Sequence, residues 1–173
     1  CQQRRNGGQP VQFPGPPELS VEEAILVGDV GGTNARFATA FRRGDWIRIE
    51  RFERFEGADF PGFNEVLEGY LGRAGLQPRA ACIAVAGPVR GGRAHLTNRD
   101  WRISEAEVSE RFGIADVLVV NDFVAMARSV PELEPEAFSV VFKGTPVPDA
   151  PILVAGPGTG FGVSTLIPSA DGW

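Results

Sequence analysis

Lysine, histidine and methionine each occur once in this 173-residue chain, and cysteine occurs twice. Each scarcity closes off a class of chemistry. The one lysine, Lys143, follows no glycine turn, so the Gly-Lys-Ser/Thr phosphate loop is excluded. The one histidine, His95, has no second imidazole to share a metal with and reads as structural. Cys1 is the first residue and Cys82 lies in an apolar run, where a buried thiol is the economical reading. Neither a disulfide framework nor a zinc site can be built from that pair, which fits a reducing cytoplasm. No apolar run approaches the ~18 residues of a membrane span. No charged-then-apolar leader opens the sequence. Positive charge is also in deficit, with 17 Lys and Arg against 22 Asp and Glu and a net charge of −5. The arginines are scattered, and a nucleic-acid surface would need them concentrated on one face. Small anionic ligands remain allowed, because backbone N–H groups and a metal ion hold phosphates without a global positive field.

What is present reads as an ordinary globular chain, 43% apolar and 23% charged, long enough for one domain or for one and part of a second. Residues 1–20, rich in glutamine, glycine and proline, read as a disordered extension. Order begins near residue 21. Ile25, Leu26 and Val27 form a buried-strand signal that the glycines from Gly28 onward interrupt. Phe37, Thr39 and Phe41 then alternate with alanines, so the chain leaves the glycines as a second strand. A third strand is expected over Trp46 to Phe52. The period changes at Phe63, Val66, Leu67, Tyr70, Leu71 and Ala74, which share one helix face, and Gly75 stands at its end as a stop.

Further strands are expected at Ala80 to Ala86, Ala94 to Thr97 and Val117 to Val120. Ser104 with Glu107 has the spacing of a capping box for a helix reaching Phe112. A helix is expected over Phe123 to Val130, stopped by Pro131, and a strand near Val140 to Phe142. Met126, Trp101 and the other aromatic residues are assigned to packing. The last apolar stretch repeats the first: LVGDVGGTN at Leu26 to Asn34 and LVAGPGTGF at Leu153 to Phe161 each place a glycine turn with threonine after a strand. Internal duplication and a chance likeness of two hairpins are both open at this point.

A glycine turn after a strand serves as a phosphate cradle, because glycine permits close backbone approach and positive φ. The dinucleotide fingerprint must open a helix, whereas ARFATAF reads as strand. What remains is a hairpin with N–H groups, a threonine hydroxyl and an acid, Asp29, beside it. Carboxylate and phosphate repel unless a cation lies between them, which points to Mg²⁺ at Asp29, through water. A plain hairpin with a tight turn is the alternative. Asn121 and Asp122 close a strand and precede a helix, the position where open α/β sheets bind ligands. Asp122 is also well placed as a helix cap. Both readings of Asp122 stay open on spacing alone.

LVGDVGGTNARFA, ACIAVAGPV, LTNRDW, VVNDF and VAGPGTGFGV, in that order, resemble the bacterial glucokinases, within the superfamily of sugar kinases, Hsp70 and actin. The resemblance covers about residues 24–167. It implies an α/β fold of ribonuclease H-like (actin-like ATPase) type, a mixed sheet flanked by helices. Residues 21–132 would form the small N-terminal domain and 133–173 the beginning of a large one. It further implies ATP-dependent phosphorylation of glucose. Gly28, Asp29, Val30, Gly31, Gly32 and Thr33 would hold ATP phosphates, with Gly158, Thr159 and Gly160 doing so from the facing hairpin. Asp122 would be the catalytic base, with Asn121, Thr97 and Asn98 on the sugar side. The family continues with a Gly-Glu-Gly-Gly-His type segment and a large ATP-binding region, whereas this chain ends at Asp171-Gly172-Trp173. It is therefore expected to be the N-terminal half of such an enzyme, a homodimer of the full protein being compatible with it. The competing readings are a sugar-binding regulatory module without turnover and an inactive fragment. A pure binder would not need Asp122 together with Gly158-Thr159-Gly160. Residues 1–20 cannot form the DNA-binding helix-turn-helix of a repressor.

Overall fold

The computed structural model describes residues 24–43, 46–96, 99–157 and 161–169, and the extension expected over residues 1–20 lies outside them. The apolar run after Glu23 forms β1 (Ala24–Val30), the middle strand of a five-stranded sheet. Past the glycines the chain returns antiparallel as β2 (Asn34–Arg43), pairing Gly28 with Phe37 and Val30 with Ala35. The alternation in ARFATAF thus puts Phe37 and Ala35 on the core side. β3 (Trp46–Glu56) adds an antiparallel edge strand and runs on past the expected Phe52.

The helical period yields α1 (Phe63–Ala74), which buries Phe63, Val66, Leu67 and Tyr70, each contributing about 1.5–3 kcal/mol as apolar area leaves water. Gly75 ends it at φ 62°, donating its N–H to Leu71 O at 3.0 Å, a left-handed cap that glycine takes without strain. β4 (Ala80–Val85) then lies parallel to β1. A three-stranded antiparallel excursion follows, made of β5 (Val89–Arg90), β6 (Arg93–Leu96) and β7 (Trp101–Ser104). α2 (Glu105–Phe112) leads into β8 (Asp116–Asn121), parallel to β4, and the sheet order is β3-β2-β1-β4-β8. α3 (Asp122–Ser129) begins directly at the end of β8. Beyond it, β9 (Ile152–Pro157) and β10 (Phe161–Leu166) form an antiparallel hairpin that packs on α3. Both glycine motifs are therefore flanked by paired antiparallel strands, as their shared pattern predicts.

The core lies between the sheet, α1, α2 and the excursion, with Phe37 at its centre. The rings of Phe55, Phe63 and Tyr70 stand 5.9, 6.1 and 5.4 Å from that of Phe37. One polar pair is enclosed there, Thr39 Oγ1 and Tyr70 Oη at 2.9 Å. Trp101 is 3% exposed, in keeping with a packing role. Cys82 on β4 is half-buried, and burial pushes its thiol pKa up, which disfavours the reactive thiolate.

Three local expectations are corrected. Ser104 and Glu107 form no capping box: the serine side chain makes no cap bond, and Glu107 Oε1 accepts from Asn64 Nδ2 of α1 at 2.5 Å instead. A tertiary partner has taken the carboxylate that the local motif needed. Val140 to Phe142 form no strand and are exposed, because no neighbouring strand among the described residues offers them a ladder. Nor are all the large apolar residues core, since Met126 on α3 and Phe52, Phe142 and Phe161 face solvent. No helix among the described residues is long and apolar enough to cross a membrane.

Candidate active site

The parallel strands β1, β4 and β8 end in one row. Val30 pairs with Val85, and Val85 pairs with Asn121. At the usual ~4.8 Å between strands, Asn121 stands about 10 Å across the sheet from Val30. The first glycine turn leaves β1 and Asp122 leaves β8 at this same carboxyl edge. Hydrogen bonds to the backbone tie the row together. Ala86 N donates to Val30 O at 3.0 Å, and Asn121 Nδ2 donates to Gly87 O at 3.1 Å.

The turn is closed by Gly31 N donating to Asn34 O at 2.9 Å. Neither Gly31 nor Gly32 has positive φ; the described glycines that do are Gly75, Gly91, Gly92 and Gly113. Conformational freedom is thus not what glycine supplies here. A Cβ on Gly31 would meet only Asn34 O, at 3.7 Å, so the missing side chain leaves that face of the turn open. Gly28 and Val30 belong to the strand. A Cβ on Gly28 would press on Phe37 Cε1 at 3.1 Å, and Val30 buries its side chain completely.

Asp29 is exposed, and its Oδ2 pairs with Arg36 Nη1 of β2 at 2.6 Å. The counter-charge that the sequence pattern assigned to Mg²⁺ is met here by a guanidinium. Such a surface pair is worth about 0–1 kcal/mol, weak enough for Asp29 to exchange it for another cation. Among the described residues no group of three or more His, Cys, Asp or Glu could hold a metal by itself. What Asp29 offers is a single hard oxygen donor, which fits a Mg²⁺ ion that keeps its waters and is bound mainly through phosphates.

At the other end of the row, capping falls to Asn121 rather than Asp122. Asn121 Oδ1 accepts from Phe123 N at 3.0 Å and Val124 N at 3.3 Å, satisfying first-turn donors of α3. Its Nδ2 donates to Gly87 O and to Asp122 Oδ1, the latter at 2.9 Å. All four hydrogen-bonding positions of the amide are used within the protein, so none is left for a sugar hydroxyl in this state. Asp122 Oδ1 also accepts from Phe123 N at 2.9 Å. Its second oxygen carries no hydrogen bond among the described residues.

Thr97, Asn98, Gly158, Thr159 and Gly160 lie outside the described residues. The elements that carry the last three are nonetheless placed. β9 and β10 meet at the Pro157–Phe161 pair on either side of them, and the ring of Phe123 lies against Gly156, within 3.6 Å of where a Cβ would stand. A Cβ on Gly162 would fall inside the same ring. The second glycine hairpin is therefore docked on the helix that starts with Asp122.

One residue of the site has no signature in the sequence. Arg99, within LTNRDW, reaches back to the first turn, its Nε donating to Gly32 O and its Nη2 to Thr33 O, both at 2.6 Å. Its guanidinium carbon stands 5.0 Å from the centre of the Trp101 ring. Arg36 and Phe123 were likewise passed over, because a guanidinium or a ring shows its partner only once the strands are paired.

Comparison with known proteins agrees with this arrangement. The family model described as Glucokinase matches residues 26–173. A curated glucokinase from Marinobacter nauticus is 42% identical over 156 residues, covering 90% of this chain and 48% of its own length. One from Paramagnetospirillum magneticum is 42% identical over 154 residues, covering 88% of this chain and 47% of its own. The crystal structure of a glucokinase from an Antarctic psychrotroph superposes with a TM-score of 0.76 at 38% identity, over 87% of this chain and 48% of that one. The chain spans about half the length of the curated relatives it matches. On the family match over residues 26–173 and on these likenesses, the chain belongs to the glucokinase family.

Proposed function

We propose that the protein carrying this chain transfers the γ-phosphoryl group of ATP to the 6-hydroxyl of glucose, with Asp122 as general base. The observation that carries the reading is the shared strand-end row, Val30–Val85–Asn121, which sets a phosphate-sized turn and a carboxylate about 10 Å apart on one sheet edge. Phosphoryl transfer passes through a loose transition state, so a site of this kind works by positioning and by charge neutralisation. Gly32 and Thr33 present backbone N–H groups to the phosphates, beside the face that Gly31 leaves open while its own N–H closes the turn. Gly158, Thr159 and Gly160 would approach from the hairpin docked on α3, and residues 133–173 would begin the domain to which that hairpin belongs.

Asp122 accepts the proton of the sugar hydroxyl on its second oxygen as the phosphoryl group leaves ATP for the hydroxyl oxygen. Asn121 serves by holding the other oxygen; a contact of Asn121 with the sugar would displace one of its present bonds. Thr97 and Asn98 complete the sugar side. Magnesium carried by the nucleotide, when bound, supplies charge neutralisation at the phosphates, and Asp29 is the carboxylate that would meet it.

The test is a coupled assay for glucose 6-phosphate with ATP, Mg²⁺ and glucose, run beside calorimetric titration of glucose alone. Glucose-dependent turnover supports the kinase. Glucose binding without turnover converts the reading to a sugar-responsive module, and the absence of both sinks it.

A further inference from the structure

The guanidinium of Arg99 is held in a way that packing does not require. Two of its nitrogens donate to consecutive carbonyls of the first glycine turn, Gly32 O and Thr33 O. Its third, Nη1, is buried and has no partner among the described residues. The slot it occupies exists because residue 57 is glycine: a Cβ there would overlap the guanidinium. Gly57 N donates in turn to Thr33 O at 3.0 Å, so that carbonyl receives both a backbone and a guanidinium donor. Trp101 closes the slot with its ring.

This arrangement acts on the orientation of peptide planes. In a trans peptide the C=O and N–H point opposite ways. Drawing Gly32 O toward Arg99 therefore turns the Thr33 N–H away from the guanidinium, toward the side where an anion would be held. A planar fork is the side chain suited to this, because it meets two adjacent acceptors in one geometry while a lysine ammonium is a single point. The cation also puts positive charge directly behind the turn, where an incoming phosphate gains from it.

We propose that Arg99 is a positioning residue for the phosphate turn: it fixes the peptide planes of Gly32 and Thr33 and so sets nucleotide affinity without touching the nucleotide. The inference deepens the kinase reading and rests on it for the identity of the ligand. Because Arg99 directly follows Thr97 and Asn98 in the chain, its hydrogen bonds also link the turn to the segment assigned to the sugar.

The test uses Arg99→Ala, Arg99→Lys and Gly57→Ala in the protein carrying this chain, with two readouts. Amide hydrogen exchange probes the turn without any ligand. In Arg99→Ala the protected amides of Gly31 and Gly57 should exchange at least ~10-fold faster, the size expected for losing a charge-assisted hydrogen bond, while β4 amides stay unchanged. Binding of the Mg²⁺ complex of AMPPNP should weaken about tenfold in Arg99→Ala and in Gly57→Ala, and by less in Arg99→Lys, which keeps the charge but not the fork. Unchanged exchange at Gly31 and Gly57, or a uniform rise across the whole sheet, overturns the proposal, as does full nucleotide affinity in Arg99→Ala. If exchange responds locally but the unsubstituted protein binds no nucleotide, Arg99 still positions the turn and it is the kinase reading that falls.

Discussion

Asn121 holds Asp122 in place: the Nδ2 of the amide lies 2.9 Å from Oδ1 of the carboxylate, while Oδ1 of the amide caps α3. One side chain thus starts the helix and orients the acid that follows it. The bond engages one carboxylate oxygen and no hydrogen bond to the other arises among the described residues, so the two residues have separable duties that substitution can pull apart.

Asp122→Asn should leave the cap and the fold intact, since an amide oxygen still accepts from Phe123 N. Its kcat for glucose phosphorylation should fall at least ~10²-fold, within the range for removing a general base. The affinity for glucose should stay within a few-fold. Initial rates and calorimetric titration check both, and near-normal turnover would remove Asp122 from the mechanism.

Asn121→Ser should keep the helix cap, because serine accepts first-turn N–H groups about as well as asparagine. It cannot supply the two donors to Gly87 O and Asp122. Its stability should exceed that of Asn121→Ala by about 1 kcal/mol, while kcat falls about tenfold in both, as for a lost hydrogen bond to a charged group. Thermal unfolding with parallel rate measurements separates the two duties. Equal stability of the serine and alanine variants would contradict the capping role.

Tyr70→Phe should cost about 1–3 kcal/mol, because Thr39 Oγ1 is left buried without its partner. Adding Thr39→Val should recover much of that loss, since both ends of the bond are then gone. Burial raises the pKa of Tyr70, outweighing the opposing effect of its bond to Thr39. The stability that comes from keeping the phenol neutral is fully present below the unfolded value near 10 and fades as pH climbs through the higher folded value. Denaturant midpoints between about pH 8 and about pH 11 should therefore fall in the parent and show less of this slope in Tyr70→Phe.

Gly162→Ala should loosen the second glycine hairpin from α3, because the new methyl group and the Phe123 ring claim the same space. A cost of about 1–3 kcal/mol is expected for such overpacking. Phe123→Ala combined with Gly162→Ala should be less damaging than the sum of the two single changes. Additive losses would mean that ring and hairpin do not touch.

Much of this was legible before any coordinates. The run Ile25–Val27, the alternation after Asn34 and the helix face from Phe63 to Ala74 are periodic signals, and each produced its element. Asn121-Asp122 at a strand end was legible for the same reason. What escaped depended on partners far along the chain. Glu107 has the spacing of a cap, but Asn64 claims it. Gly28 looks like part of a flexible turn until the register sets Phe37 opposite it. Arg99 carries no periodicity, and its bonds to Gly32 and Thr33 exist only because the excursion after β4 folds back on the turn.

The row from Val30 through Val85 to Asn121 works as a gauge. Its length is a count of strands, and the spacing between strands is fixed by main-chain hydrogen bonds that every residue type makes alike. Exchanging core side chains in β4 can weaken the protein but cannot stretch the gap between the glycine turn and the Asn121-Asp122 pair. The distance between the two is therefore inherited from topology, which leaves the loops at that edge free to vary around a fixed span.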